Sequence, residues 1–164
     1  LMKGSNLLDL VKFAPTETHF TSHNISELTN QGIESGLTLR LGQYLPLLGD
    51  GSKLSLDYLY MAQRHHAPRV AVSKYALNYL RHKFTTHLSH QLSKRVEALW
   101  ALRYQDRVNQ PSPFATLDLK VDYLVNQHLR VGLEINNLTD TQYSDIAGVP
   151  QPGFWLSGNI SYRL

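Results

Sequence analysis

Several features that would classify a protein quickly are missing from this chain. None of its 164 residues is cysteine, which excludes both a disulfide framework and a thiolate metal site. No segment approaches the roughly 18 consecutive apolar residues that a transmembrane helix requires. The 16 lysines and arginines barely exceed the 13 acidic residues and are scattered, so no basic stripe for nucleic acid is present.

Motifs of catalysis and export are missing as well. There is no Ser-His-Asp order, glycine-rich phosphate loop or dinucleotide fingerprint, so we expect no enzyme, no catalytic residue and no cofactor. Eight histidines are the available metal ligands, but none forms a helical zinc pair, and no metal site is expected. The first residues lack the basic and apolar regions of a signal peptide. For an exported protein, this absence predicts a fragment without its native N-terminus.

What the chain contains is one pattern repeated about eight times. Apolar and polar residues alternate with a period of two, which places successive side chains on opposite faces of a β-strand. Turn-forming residues bound each segment. The pattern predicts an all-β chain of about eight antiparallel strands, at residues 7–13, 33–41, 53–62, 84–92, 95–106, 116–124, 129–136 and 154–164.

The connections between the predicted strands alternate in length. Short ones occupy 44–52, 93–94 and 125–128, and long ones occupy 14–32, 64–83, 107–115 and 137–153. Outer-membrane barrels have short periplasmic turns and long outer loops, which produces this alternation. The connections therefore predict strands of an up-and-down transmembrane β-barrel, with the odd-numbered strands running outward.

The two faces of the predicted strands differ in chemistry. Aromatic residues lie near the strand ends, as in the girdles of membrane barrels: Tyr58, Tyr60, Phe84, Tyr104 and Phe154 at one level, Tyr123 and Tyr162 at the other. The opposite face carries Glu34, Arg40, Asp57, Glu97, Arg103, Asp118, Lys120, Asp122, Arg130, Glu134 and Arg163. Unpaired charges are costly in a dry core. We therefore expect this face to line the hydrated lumen of a wide barrel or to pack on a polar plug.

The C-terminal residues resemble those of a known family. Residues 135–143 (INNLTDTQY), 148–153 (GVPQPG) and 160–164 (ISYRL) are similar to the C-terminal signature of TonB-dependent outer-membrane receptors, in versions from the Bacteroidetes. Residues 30–34 (NQGIE) and 80–83 (LRHK) resemble the starts of two earlier barrel strands. Thr139, Phe154 and Leu164 depart from the family's usual Phe, Arg and terminal aromatic residue.

The resemblance implies that residues 1–164 are the C-terminal part of a receptor β-barrel domain, about the last eight strands of a 22-stranded barrel, without its plug. It implies uptake of a scarce solute (siderophore, haem, cobalamin or glycan) across the bacterial cell outer membrane. TonB would supply the energy through the missing plug. The implied partners are outer-membrane lipid, TonB, the solute and a surface lipoprotein, with no nucleic acid.

Ligand contacts are expected from the outer loops 14–31, 64–82, 107–114 and 137–153, since binding residues concentrate on loops held by rigid scaffolds. The candidates are Arg64, His65, His66, Arg69, Tyr143 and Asp145. A second interpretation of the last loop is architectural, with Pro, Gly and Asn setting turn geometry. Two rival functions stay open. One is a self-contained eight-stranded barrel acting as an adhesin or anchor, and the other is a soluble β-sandwich binding module.

Overall fold

A computed structural model describes residues 2–66, 70–74, 79–108, 112–145 and 149–163, with the side chains of Ile25, Ser26, His66 and Val72 left out. These residues form one antiparallel sheet with the order β4-β1-β2-β3-β5-β6-β7-β8-β9. The strands are β1 (Met2–Lys12), β2 (Thr21–Arg40), β3 (Lys53–His66), β4 (Val72–Ser73), β5 (Leu80–Ser93), β6 (Val96–Arg107), β7 (Phe114–Leu124), β8 (Leu129–Asn136) and β9 (Trp155–Tyr162).

The predicted all-β class is confirmed, and eight of these strands are the expected ones. The ninth, β4, has only two residues and lies inside the predicted connection 64–83, where it pairs with Val11 and Lys12 of β1. No helix among the described residues has both the length and the apolar character needed to cross a membrane.

Strand bounds are least predictable at the polar ends. The prediction of a loop at 14–32 is wrong, because β2 begins at Thr21 and pairs with β1 from Val11↔Thr21 to Met2↔Asn30. Residues 21–32 are mostly polar on both faces, and Ile25 and Leu28 are an odd number of positions apart in the sequence, so they lack the apolar alternation that marks a strand. Backbone hydrogen bonds form there all the same, because pairing does not depend on side-chain chemistry.

The alternation of connection lengths holds only in the later part of the chain. The turn between β5 and β6 and the connection between β7 and β8 are short, whereas the β8–β9 connection, residues 137–154, is long. The β2–β3 connection is longer than predicted, because two 3₁₀ turns, Leu41–Gln43 and Pro46–Leu48, lie between Arg40 and Lys53.

The register of β7, β8 and β9 sorts their side chains by polarity. On one face, apolar residues are paired across the strands, as in Val121↔Leu133, Leu119↔Ile135↔Leu156 and Val131↔Ile160. On the other face, the pairs include Lys120↔Glu134↔Ser157 and Asp122↔Gly132↔Asn159. Because side chains alternate with a period of two, this register keeps the two faces chemically distinct.

Little of the apolar surface is buried. Among the described residues, the buried apolar side chains are Val11, Leu28, Ala98 and Phe114. Leu133, Leu156 and Ile160 on the apolar face are instead 48%, 55% and 76% exposed. Water-soluble monomers rarely expose a continuous apolar surface of this kind. The described residues contain no second sheet to cover it, as the rival β-sandwich would require.

The chain divides into two compact units. The first unit contains Leu1–Glu34, Leu59–Lys83 and Gln105–Pro113, and the second contains Ser35–Tyr58, Phe84–Tyr104 and Phe114–Leu164.

Candidate functional site

The β8–β9 connection of the second unit, called the β8–β9 loop below (residues 137–154), is fixed at its start by Asn137. This residue is 3% exposed and has a left-handed backbone, with φ of 49°, which Asn tolerates better than most residues. Its amide nitrogen Nδ2 donates to the carbonyl oxygens of Thr141, at 2.9 Å, and Pro152, at 3.3 Å. Its Oδ1 accepts from the Thr141 N–H at 2.9 Å. One side chain therefore joins the two ends of the loop.

Asp140 provides the second support of the same loop. Its φ is 51°, and its Oδ1 accepts a hydrogen bond from the Phe154 N–H at 2.8 Å. Gly153 lies so close to this oxygen that an added Cβ would clash with it. The N–H of Gln151 donates to the carbonyl oxygen of Tyr143 at 2.9 Å. The contacts of Asn137 support the architectural interpretation of the last loop, and Asp140 is a further support that the sequence does not identify.

Two predicted ligand residues, Tyr143 and Asp145, meet at Arg103 of β6. Arg103 Nη2 donates to the Tyr143 hydroxyl at 3.1 Å, and its Cζ lies 5.3 Å from the centre of the Tyr143 ring. Arg103 Nη1 is 3.7 Å from Asp145 Oδ2. The Tyr143 ring stacks on Phe114 with a centroid distance of 4.7 Å. We call these four residues the Arg103 cluster.

The Arg103 cluster combines an aromatic surface with an ion pair that is partly exposed to solvent. The side chains of Arg103 and Asp145 are 31% and 32% exposed, so water weakens their attraction. The second carboxylate oxygen of Asp145 is enclosed and has no hydrogen-bond partner among the described residues. Such a site suits reversible contact, either with a ligand or between the loop and the sheet.

Two members of the cluster are not identifiable from the sequence. Arg103 is there only one of many charges on the polar face. Phe114 falls in the predicted loop 107–115, whereas it is the first residue of β7. Neither residue carries a local signal of its role, because both meet Tyr143 through a loop that returns from far along the chain. Only the tertiary arrangement identifies them.

The other predicted ligand residues lie elsewhere. The sequence predicts a loop for Arg64, His65 and His66, but they are the last residues of β3. The prediction fails because the apolar alternation stops at Ala62 while the strand continues. Arg64 and His65 are exposed, whereas Arg69 lies outside the described residues. Within the described ranges, no group of three or more His, Asp or Glu side chains could hold a metal ion.

Further along the polar face of the second unit, Asp122 lies between two cations. Its Oδ2 is 3.6 Å from Lys120 Nζ and 3.9 Å from Arg130 Nη1. Gly132 makes room for it, since an added Cβ would clash with Asp122 Oδ1. The expected charged face is thus present here as a group of spaced, partly exposed ion pairs, which are inexpensive in a hydrated setting.

The first unit contains a separate polar and aromatic group where β4 meets β1. The Ser73 hydroxyl donates to the Asp9 carboxylate, and Asp9 Oδ1 also accepts from the Leu10 N–H at 2.7 Å. The ammonium groups of Lys12 and Lys74 lie 4.8 and 5.6 Å from the centre of the Phe20 ring. These contacts attach the β3–β5 connection to the edge of β1.

Comparisons with known proteins give similarity in structure only. No protein-family model matches the chain, and no curated protein is significantly similar to it in sequence. The solved structure of the copper transporter OprC matches 98% of this chain with a TM-score of 0.70 and 14% identity. The ferric enterobactin receptor PfeA from Pseudomonas aeruginosa matches 87% of the chain, with a TM-score of 0.58 and 21% identity in one variant. A second PfeA variant, in complex with enterobactin, gives 0.57 and 20%.

The match covers only part of each neighbour. The chain spans 26% of OprC and 23% of the first PfeA variant, about a quarter of their length. Both neighbours are TonB-dependent receptors, one named as a copper transporter and the other as a ferric enterobactin receptor. At this level of identity, the similarity concerns the fold. The chain therefore has the fold of a β-barrel wall segment of a TonB-dependent receptor.

Proposed function

We propose that this chain is part of an outer-membrane receptor that takes up a scarce solute with energy supplied through TonB. One observation carries the proposal: β7, β8 and β9 present a continuous exposed apolar face opposite a face of charged and hydrogen-bonding groups. A sheet with these two faces is stable where lipid covers one face and water meets the other. The structural neighbours, a copper transporter and a siderophore receptor, support the same class of function.

Within the intact protein, we propose that residues 1–164 are the C-terminal part of the barrel domain. The chain spans about a quarter of its structural neighbours, which supports a larger whole. The plug and the earlier strands would come from other parts of the natural protein. Sequencing the natural gene around the codon for Leu1 tests this arrangement. A plug and further alternating strands upstream support it, and an initiator codon with a signal peptide directly before Leu1 contradicts it.

The proposed location is the bacterial outer membrane, and the proposed role is transport without catalysis. Outer-membrane lipid would contact the apolar face, and the solute would pass along the polar face. TonB would act through the plug, and a surface lipoprotein is a further proposed partner. The solute is a siderophore, haem, cobalamin, a glycan or, by similarity to OprC, a copper ion.

The test is uptake by cells in which the gene is intact, deleted or restored. Radiolabelled or isotopically enriched solutes from these five classes are supplied separately, each with and without a functional TonB. We predict that accumulation of one solute falls at least tenfold when either the gene or functional TonB is absent. Accumulation should return when the gene is restored. Accumulation of every solute unchanged by the deletion, or uptake that continues without TonB, would contradict the proposal.

We further propose that Arg64, His65, His66, Arg69, Tyr143 and Asp145 contact this solute. Tyr143 and Asp145 have the stronger support, because the structure brings them together at Arg103. Alanine substitutions in the intact receptor, followed by equilibrium binding of the solute found above, test each residue. Unchanged affinity in all six variants would remove the assignment and leave the transport proposal intact.

The behaviour of the isolated chain, residues 1–164, separates the two rival functions. A self-contained barrel would refold from residues 1–164 alone in detergent as a heat-resistant species, although in the described structure β4 and β9 are the two edges of the sheet. A soluble sandwich would be monodisperse without detergent. We expect neither behaviour. The open edges β4 and β9 of the described sheet oppose closure of the isolated chain in detergent. Exposed residues such as Leu133 and Ile160 would drive it to aggregate in water.

A further inference from the structure

We propose that Arg103 is a positioning residue that holds the β8–β9 loop on the polar face of the second unit. By doing so, it sets the places of Tyr143 and Asp145. This role deepens the proposed function and rests on it in one respect, since the loop's position matters to transport only if the loop meets the solute.

One guanidinium group of β6 contacts two residues of the loop. Arg103 donates to the Tyr143 hydroxyl, lies near the face of the Tyr143 ring and pairs with Asp145. A planar guanidinium can donate in several directions while also lying against an aromatic ring, which a lysine ammonium cannot do with the same geometry. The stack of Tyr143 on Phe114 adds an apolar contact between the loop and β7.

Other contacts support the loop near its two ends. Asn137 and Asp140 hold its two ends together through hydrogen bonds to Thr141, Pro152 and Phe154. At its start the loop is also bound to β7, because the Asn137 N–H donates to Asp118 Oδ1 and the Leu138 N–H donates to the Leu117 carbonyl oxygen, both at 2.7 Å. Further along the loop, Tyr143 contacts Arg103 and Phe114, and Asp145 contacts Arg103. The contacts of Arg103 therefore set the position of this distal part of the loop on β6.

The attachment of the loop to Arg103 is built to be reversible. The ion pair is long, at 3.7 Å, and both side chains are about one-third exposed. Asp145 also has one enclosed oxygen without a partner in the described structure, so the carboxylate is only partly satisfied. Exposed pairs of this kind contribute little individually. The loop is therefore held by several weak contacts that share a single arginine, and the loss of that arginine removes them together.

The experiment measures the loop directly by thiol labelling. The chain has no cysteine, so Ser144→Cys introduces one thiol within these residues, at a half-buried position between Tyr143 and Asp145. The intact receptor is prepared in detergent micelles, in which both ends of the barrel are open to the reagent, with any cysteine outside residues 1–164 replaced. A charged maleimide is added, and the labelling rate is followed. Arg103→Met in this background is expected to raise the rate about tenfold, since a charged hydrogen bond and a cation–π contact are both lost.

Three controls make the result specific. Arg130→Met removes another arginine of the polar face, one paired with Asp122, and should leave the Ser144→Cys rate within about twofold. Arg103→Lys keeps the charge and should give an intermediate rate. Leu47→Cys, at a position where the native residue is 96% exposed, measures how fast the maleimide reacts with an exposed thiol. Its labelling rate should be the same with and without Arg103→Met.

The outcomes separate a positioning role from general destabilisation. A faster rate in Arg103→Met, with the heat-resistant barrel band and the Arg130→Met rate unchanged, supports the proposal. An unchanged rate in Arg103→Met overturns it, as does an equal increase in both arginine variants. Because labelling needs neither solute nor TonB, failure here leaves the transport proposal standing, and failure of the uptake test leaves this measurement interpretable.

Discussion

At the scale of single residues, short polar side chains and glycines determine how the second unit is built. Where β8 ends, the Asn137 side chain makes hydrogen bonds with backbone groups of Thr141 and Pro152. Gly132 leaves space that the Asp122 carboxylate occupies. Both residues act through contacts formed after the chain has folded, so their importance follows from residue type and position together.

Asn137→Ala is the first residue-scale prediction. Removing the side chain leaves the Thr141 N–H and the Pro152 carbonyl oxygen without their partner, at a site that is 3% exposed in the native protein. We expect a loss of about 2 kcal/mol in the free energy of unfolding, measured by urea titration of the intact protein in lipid vesicles. Asn136→Ala, next to it, removes one partly buried hydrogen bond to Glu134 and should cost less than half as much. Equal losses in the two variants would contradict the role given to Asn137.

Gly132→Ala is the second residue-scale prediction. Its new Cβ would clash with Asp122 Oδ1 and would lie 2.6 Å from Asn159 Nδ2, so both side chains would have to move and the ion pairs of Asp122 would weaken. We expect a loss of about 1–2 kcal/mol in the same titration. Gly158→Ala in the adjacent strand meets only the Gly132 carbonyl oxygen, at 3.9 Å, and should be nearly neutral. A neutral Gly132→Ala would show that Asp122 moves aside at no cost.

At the scale of elements, strands are predictable where their two faces differ and unpredictable where both are polar. Strand β8 lies at its predicted bounds because Leu129, Val131, Leu133 and Ile135 alternate with polar residues. The start of β2 and the end of β3 escape prediction, since polar residues on both faces leave no period to detect. The two-residue β4 carries no sequence signal at all. Its pairing with β1 depends on contacts between segments far apart in the chain, such as that of Ser73 with Asp9.

A matched pair of lysines tests the assignment of the faces. Leu156→Lys places a charge on the apolar face, where a lipid-covered position would make it costly by about 1–3 kcal/mol, depending on depth. Ser157→Lys places the same charge on the other face, opposite Glu134, where it should be tolerated. The measurement is the yield of heat-resistant receptor in the outer-membrane fraction. Equal yields from the two variants would mean that the two faces meet the same environment.

At the scale of the whole molecule, we propose that lipid covers the apolar face of β7, β8 and β9 and that water meets their polar face. The few buried apolar side chains among the described residues are a small core for a water-soluble protein, and the exposed apolar face supplies the missing burial once lipid covers it. The alternation of the sequence predicts this arrangement. It cannot predict that Tyr143 and Asp145 meet Arg103, because that contact depends on the path of a long loop.

The lipid-facing wall is tested most directly by spin labels placed one at a time at each residue of β9, from Trp155 to Tyr162, in the intact receptor reconstituted in lipid. Power saturation in the presence of oxygen, which partitions into lipid, is compared with power saturation in the presence of a water-soluble nickel chelate. We predict a period of two, with Leu156, Gly158, Ile160 and Tyr162 accessible to oxygen and Ser157, Asn159 and Ser161 accessible to the chelate. Uniform access of the chelate to every position, or access without this period, would contradict a lipid-facing wall.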